Sequence, residues 1–186
     1  MTMSLRTLFP VCVMSVSAAI LFHSAAVSAA EDEFARTTVD IGVVVSDINK
    51  SVAFYTQAVG FKEVPGFQVT GDFTGAAGLT DNHPVSVRVL VLGDGPTATR
   101  LKLMELPAAA PKRGDNKFIH SEFGFRYLTI SVKDMTSAVA RLEKAGVKPV
   151  GKCPLALPKS LSAEAHLTVF RDPDGNFVEF VGPPKN

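Results

Sequence analysis

The sequence predicts an α+β fold made of two similar halves, each a strand and a helix followed by two or three antiparallel strands. The first observation is an internal repeat, because VDIGVVVSDINKSVAFYTQAVG at 39–60 matches RYLTISVKDMTSAVARLEKAG at 126–146. The second is the alternation of apolar and polar residues in both halves, which is typical of strands. The third is the turn signal Asp-Pro-Asp-Gly at 172–175, between two such strands.

The repeat keeps its register through a strand, a turn and a helix. A shift of 87 residues places the turn acid Asp47 on Asp134. The apolar residues after each acid follow the spacing i, i+4, i+7, which is one stripe of a helix. These residues are Ile48, Val52 and Tyr55 in the first half, and Met135, Val139 and Leu142 in the second. Each predicted helix ends at a glycine, Gly60 or Gly146, as a left-handed cap requires.

The remaining strands follow each helix. In the first half VSVRVLVLG at 85–93 and TRLKLMEL at 99–106 are predicted strands, and FKEVPGFQV at 61–69 is a weaker one. In the second half AHLTVF at 165–170 and FVEFVG at 177–182 flank the RDPDGN turn. Each half therefore has the strands to build a small sheet against its helix.

The first 30 residues predict a secretory signal peptide. Arg6 precedes the apolar stretch Leu8–Phe22, and a run of small residues then leads to the acidic EDEF. The alternative is a membrane anchor, but Leu8–Phe22 is shorter than the roughly 20 apolar residues that span a bilayer. We therefore expect an exported protein, periplasmic or secreted, with no stable membrane insertion after cleavage. Only Arg6 among the charged residues lies in the leader, so residues 31–186 carry no net charge, which argues against a nucleic-acid partner.

Three stretches resemble the vicinal oxygen chelate superfamily, which includes glyoxalases, bleomycin-resistance proteins and extradiol dioxygenases. They are VDIGVVVSDINKSVAFYTQAVGF, FGFRYLTISVKDM and VFRDPDGNFVEF. The resemblance implies a single glyoxalase-like domain over residues 31–186, with module one at 37–107, a linker at 108–124 and module two at 125–183. It further implies that both modules are βαβββ units whose strands form a cupped mixed sheet with the helices on its convex side. A small-molecule ligand in the cup and a homodimer are the partners it implies.

The resemblance also implies where a divalent metal would be held. The family places four ligands in the cup, usually His, Glu or Gln, His and Glu, and here those places are taken by Asp40, Glu105, Tyr127 and Glu179. Both histidines are absent, and we expect Asp40, Glu105 and Glu179 as the metal ligands. Oxygen ligands favour Mg²⁺, Mn²⁺ or Ca²⁺ over zinc or iron. The alternative is that no metal is bound and the cup is a binding pocket.

Two residues are candidates for moving a proton, Tyr127 and His166. Pairing across the RDPDGN turn with Thr168 opposite Glu179 would place His166 on the cup face. The missing histidines argue against an extradiol dioxygenase, and export argues against a glutathione-dependent glyoxalase, which needs a reducing compartment. Two functions remain open: a metal-dependent lyase or isomerase of the glyoxalase type, and a metal-free protein that binds or sequesters a small molecule.

Overall fold

The structure, a computed structural model, describes residues 34–185. The predicted signal peptide, residues 1–30, lies outside the described residues, so export stays a prediction. From Arg36 onward the chain forms one compact unit. Among residues 34–185, no helix is both long and apolar enough to cross a bilayer.

Both modules have the predicted order of elements. Module one contains β1 (Asp40–Val44), α1 (Ile48–Ala53) continued by a π-helical turn (Phe54–Val59), β2 (Lys62–Val69), α2 (Gly71–Ala76), β3 (Val85–Leu92) and β4 (Thr99–Met104). Module two contains β5 (Tyr127–Ser131), α3 (Met135–Lys144), β6 (Leu155–Ala156), β7 (His166–Arg171) and β8 (Phe177–Gly182). The strand orders β1-β4-β3-β2 and β5-β8-β7-β6 are equivalent, and in each sheet only the first pair is parallel. The predicted α+β fold of two βαβββ modules is confirmed.

The two turn acids of the repeat start the two helices. The Asp47 side chain accepts hydrogen bonds from the backbone N–H groups of Asn49 and Lys50, at 3.1 and 3.0 Å. Asp134 accepts from the N–H of Ser137 at 3.1 Å. Such caps satisfy N–H groups that have no partner inside the helix. At the other end Gly60 adopts a left-handed conformation with φ of 105°, which a residue with a Cβ rarely takes.

Each sheet has a helix face, packed against the helices, and an open face on the other side. In module one the helix face carries Leu90, Leu101 and Leu103, all fully buried. They join residues of α1 with its π-helical turn, of α3, and of β7 and β8 in one core that spans both modules. This core includes Tyr55, Leu142 and Phe180. The open face of module one has its own smaller cluster around Val85, Val87 and Val89. Burial of the helix faces therefore fixes which residues lie on the open faces.

Polar contacts join the modules where the turn after β7 meets module one. The hydroxyl of Tyr55 donates a hydrogen bond to Asp172 at 3.0 Å, and both side chains are buried. Asp174 accepts from the backbone N–H of Ser46 at 3.0 Å. We call these four residues the inter-module clasp. The turn signal of the sequence therefore marks a contact between modules as well as a change of chain direction.

The helix α2 and the position of the strand β6 were not predicted. The helix α2 is capped by Thr70, whose hydroxyl accepts from the N–H of Phe73 at 3.4 Å. The buried Thr74 donates to the carbonyl of His83 at 2.8 Å. The strand β6 has only two residues and pairs with the start of β7. Both elements are short, so neither has a periodic pattern that stands out in the sequence.

Candidate functional site

Asp40 lies on the open face of β1 and is held by two cations. Its carboxylate forms ion pairs with Lys102 of β4 at 2.8 Å and with Arg36 at 2.7 Å. The nearby ammonium of Lys102, and then the guanidinium of Arg36, hold the pKa of Asp40 below its usual value, although partial burial opposes them. Asp40 is therefore an ionised residue of the open face, and each of its carboxylate oxygens already lies next to a positive charge.

Glu105 is placed away from Asp40. Leu101 and Leu103 lie on the helix face of β4, and the same alternation puts Glu105, directly after the strand, on that face as well. There its Oε2 accepts from the backbone N–H of Ile48 at 3.4 Å, at the start of α1. The expectation that Glu105 projects into the cup beside Asp40 is corrected, because the alternation of the strand sends its side chain to the other side.

Glu179 and Tyr127 share the open face of module two. Glu179 of β8 is paired in register with Thr129 of β5, whose hydroxyl donates to it at 2.6 Å. Tyr127 lies two residues before Thr129 and is 52% exposed. It lines a hollow of about 270 Å³ together with Val44 and Phe125. The structure brings these two predicted residues to one face.

The predicted register of β7 against β8 was wrong by one residue. Glu179 pairs with Val169, and His166 pairs with Gly182. A shift of one residue moves every side chain of a strand to the opposite face. His166 therefore lies on the same face as the fully buried Phe170, the helix face, and not on the cup face.

The donor set does not fit the divalent metal that the fold family implies. Of the three predicted ligands, Asp40 is paired with two cations, Glu105 is on the helix face, and Glu179 accepts from Thr129. Within residues 34–185, no three or more His, Cys, Asp or Glu side chains stand close enough together to hold a metal ion. The preference for Mg²⁺, Mn²⁺ or Ca²⁺ thus stays a prediction without an assembled set of ligands.

A second hollow, on the open face of module one, has a volume of about 520 Å³. Its floor and walls are apolar and include Val64, Phe67, Val89 and Val91. We call this space the valine hollow. Three cations, Lys62, Arg100 and Lys102, and one carboxylate, Asp94, lie along its edge. The arrangement can hold an apolar body against the strands and a polar group at the edge.

The two cations of β4, Arg100 and Lys102, were not among the predicted site residues. Arg100 and Lys102 alternate with Leu101 and Leu103 in the stretch TRLKLM, which places them on the face opposite the two leucines. That alternation was readable from the sequence. The partner of Lys102 was not, because Asp40 lies in another strand and meets it only when β1 and β4 pair.

Comparisons with known proteins place the chain in a family. Residues 37–180 match the family model of the Glyoxalase/Bleomycin resistance protein/Dioxygenase superfamily. A solved glyoxalase family protein from Bacillus cereus is similar, with a TM-score of 0.67 and 19% identity over 84% of this chain and 99% of that one. A glyoxylase/bleomycin resistance protein/dioxygenase domain from Frankia sp. EAN1pec has a TM-score of 0.55 and 20% identity, over 80% and 93% of the two chains.

At such identities the likeness to the solved structures shows the fold alone. No curated protein sequence matches the chain. The family match covers both modules, from before β1 to within β8, and so includes the whole of the duplicated unit described above. The chain belongs to the glyoxalase/bleomycin resistance protein/dioxygenase superfamily.

Proposed function

We propose that this protein binds a small molecule in the valine hollow and does so without a catalytic metal. The observation that carries the proposal is the hollow itself, about 520 Å³ and lined by five apolar and four charged side chains. Ligand pockets commonly have about 300–1,000 Å³ and combine apolar walls with polar groups that orient the ligand. Of the two functions that the sequence left open, this is the metal-free binding protein.

The charges around Asp40 favour this function over a metal-dependent lyase or isomerase. A divalent cation at Asp40 would have to approach a carboxylate already paired with Lys102 and Arg36. Like charges at such distances repel, and the other two predicted ligands do not lie next to Asp40 to offset that repulsion. The site therefore supports binding better than Lewis-acid chemistry.

The apolar walls supply the main driving force for binding. Removing apolar surface from water contributes about 25 cal/mol per Å². A ligand that buries about 150 Å² of its own apolar surface would gain about 4 kcal/mol before the costs of association. Val89 of β3 is already buried, so the protein surface that loses water on binding belongs to the half-buried Val91 and to Val64 and Phe67, which are 37% and 47% exposed.

A single reporter tests the proposal. The chain has no tryptophan, so Phe67→Trp introduces one fluorophore at the wall of the hollow. Phe123→Trp, at a fully exposed position of the linker, is the matched control. We expect members of a library of small apolar and amphipathic compounds to shift the emission of Phe67→Trp saturably, with EDTA present, and to leave Phe123→Trp unchanged.

Parallel responses of both reporters, or none from Phe67→Trp, would contradict the proposal. Thermal unfolding of the unsubstituted protein supplies a second readout, because a ligand that binds only the folded state raises its Tm. The predicted homodimer stays a prediction, and sedimentation of the mature chain tests it directly.

A further inference from the structure

The charges at the edge of the valine hollow are not balanced. Lys62 pairs with Asp94 at 2.9 Å, and Lys102 pairs with Asp40 at 2.8 Å. Arg100, also at the edge, has no hydrogen-bond or ion-pair partner among residues 34–185. Its register neighbour on β1, Asp40, is already engaged by Lys102 and Arg36, so the guanidinium of Arg100 makes no ion pair of its own beside the apolar wall.

The position of Arg100 suits it to anchor a ligand. Arg100 and Lys102 are two residues apart on β4 and lie on the same face, so their Cα atoms are about 7 Å apart. Lys102 is held in place by Asp40, whereas Arg100 is free to turn toward the hollow. Arg100 lies opposite Val91 of β3, one of the apolar residues of the hollow. A molecule that packs on Val91 is therefore within reach of the guanidinium.

We propose that the ligand of the valine hollow is a small organic acid, with an apolar body on the valines and a carboxylate bound by Arg100. The inference rests on the proposed function and adds the ligand's chemical class to it. Arginine presents a planar fork that binds a carboxylate through two parallel hydrogen bonds. Lys102, two residues along the strand, stays paired with Asp40, so Arg100 is the group that binds the carboxylate.

Neutral and cationic ligands fit the edge less well. A neutral molecule would cover Arg100 and remove water from it without supplying a charged partner, which costs free energy. A cationic molecule would meet the unpaired guanidinium of Arg100, because Asp94 and Asp40 are already paired with Lys62 and Lys102. An acid gains from both features, and its advantage should shrink with added salt because part of the edge is exposed to solvent.

Matched compounds test the assignment. Naphthalene-1-acetic acid, its neutral amide and naphthyl-ethylamine share an apolar body and differ in charge. Each is titrated into Phe67→Trp, alone and combined with Arg100→Gln. The control is Arg88→Gln, which removes the same charge from the same sheet but on the helix face, where Arg88 pairs in register with Leu103.

We expect the acid to bind at least about tenfold more tightly than the amide, as a charge-assisted hydrogen bond implies. Arg100→Gln should remove most of that preference, while Arg88→Gln should keep it. The amine should bind most weakly of the three.

Acid and amide that bind equally, with no effect of Arg100→Gln, overturn the organic-acid assignment and leave the proposed function standing. If neither these compounds nor larger acid and amide pairs with a biphenyl body give a saturable response, the organic-acid assignment and the proposed function are both overturned. If the reporter emission shifts with protein concentration and with none of the compounds, the open face of module one binds a second copy of the chain. That result also overturns the organic-acid assignment and the proposed function.

Discussion

Removing one hydroxyl group tests the inter-module clasp. Tyr55 is 1% exposed and donates to Asp172, which is 5% exposed, at 3.0 Å. Tyr55→Phe keeps the ring and its edge-on packing against Phe54 and Phe61, and deletes only the hydrogen bond. A hydrogen bond to a charged group contributes about 1.5–3 kcal/mol. Asp172 retains three other hydrogen bonds from the turn, so we expect a loss near the lower end, about 1.5–2 kcal/mol.

Urea unfolding followed by circular dichroism measures this loss, with an unchanged m-value as the sign that the folded and unfolded states keep their exposed areas. Tyr127→Phe is the matched control, because Tyr127 is half exposed and its hydroxyl has no hydrogen-bond partner among residues 34–185. A loss in Tyr55→Phe no larger than in the control would refute the claim that the clasp holds the modules together.

The same variant carries a pH signature. Burial, and then the negative charge of Asp172, raise the pKa of Tyr55 far above its usual value. In the unfolded chain a tyrosine ionises near pH 10, so the stabilisation is complete below about pH 10 and is lost as the pH rises further. The parent should lose about 1.4 kcal/mol per pH unit in that range relative to Tyr55→Phe. Equal alkaline slopes in the two proteins would contradict the buried, neutral phenol.

Two further substitutions remove contacts made by charged side chains. Arg141→Met deletes the hydrogen bonds that the guanidinium donates to the carbonyls of Ala58 and Val59, at 3.0 and 2.9 Å. Urea unfolding should show a free energy of unfolding lower by about 2 kcal/mol. A change within experimental error would refute the role of Arg141 as a cap on the first helix. The lowered pKa of Asp40 means that its stabilisation is present above the ordinary carboxyl pKa and is lost as the pH falls through the folded-state value. Asp40→Asn should therefore lower the free energy of unfolding at pH 7 and leave a shallower decline toward pH 3 than in the parent, and identical declines would contradict the ion pair with Lys102.

The duplicated module was predictable because its signals are local. Asp47, the apolar stripe after it and Gly60 lie within one short stretch, and each reports a cap, a buried helix face or a helix end by itself. The second copy at 126–146 repeats the same signals, which makes a chance match improbable. The fold could therefore be predicted from the sequence with little reference to distant contacts.

The candidate site was less predictable because it depends on which residues pair across strands. The RDPDGN turn shows that β7 and β8 form a hairpin, but not how many residues the turn uses. Arg171 pairs with Phe177, and this register turns His166 away from the open face. Similarly, the ion pair of Asp40 with Lys102 joins two strands that are far apart in sequence. An error of one residue in either register exchanges the two faces of a sheet.

Metal content and ligand binding, measured on the same preparation, decide whether the valine hollow binds its ligand without a metal. Residues 31–186 are produced in cells grown in metal-replete medium and analysed by mass spectrometry for bound metals. The ligand affinity of Phe67→Trp is measured before and after EDTA treatment. We predict less than stoichiometric divalent metal and a Kd that EDTA does not change. Stoichiometric metal that disappears in Asp40→Ala/Glu179→Ala, together with binding lost after EDTA, would contradict the account.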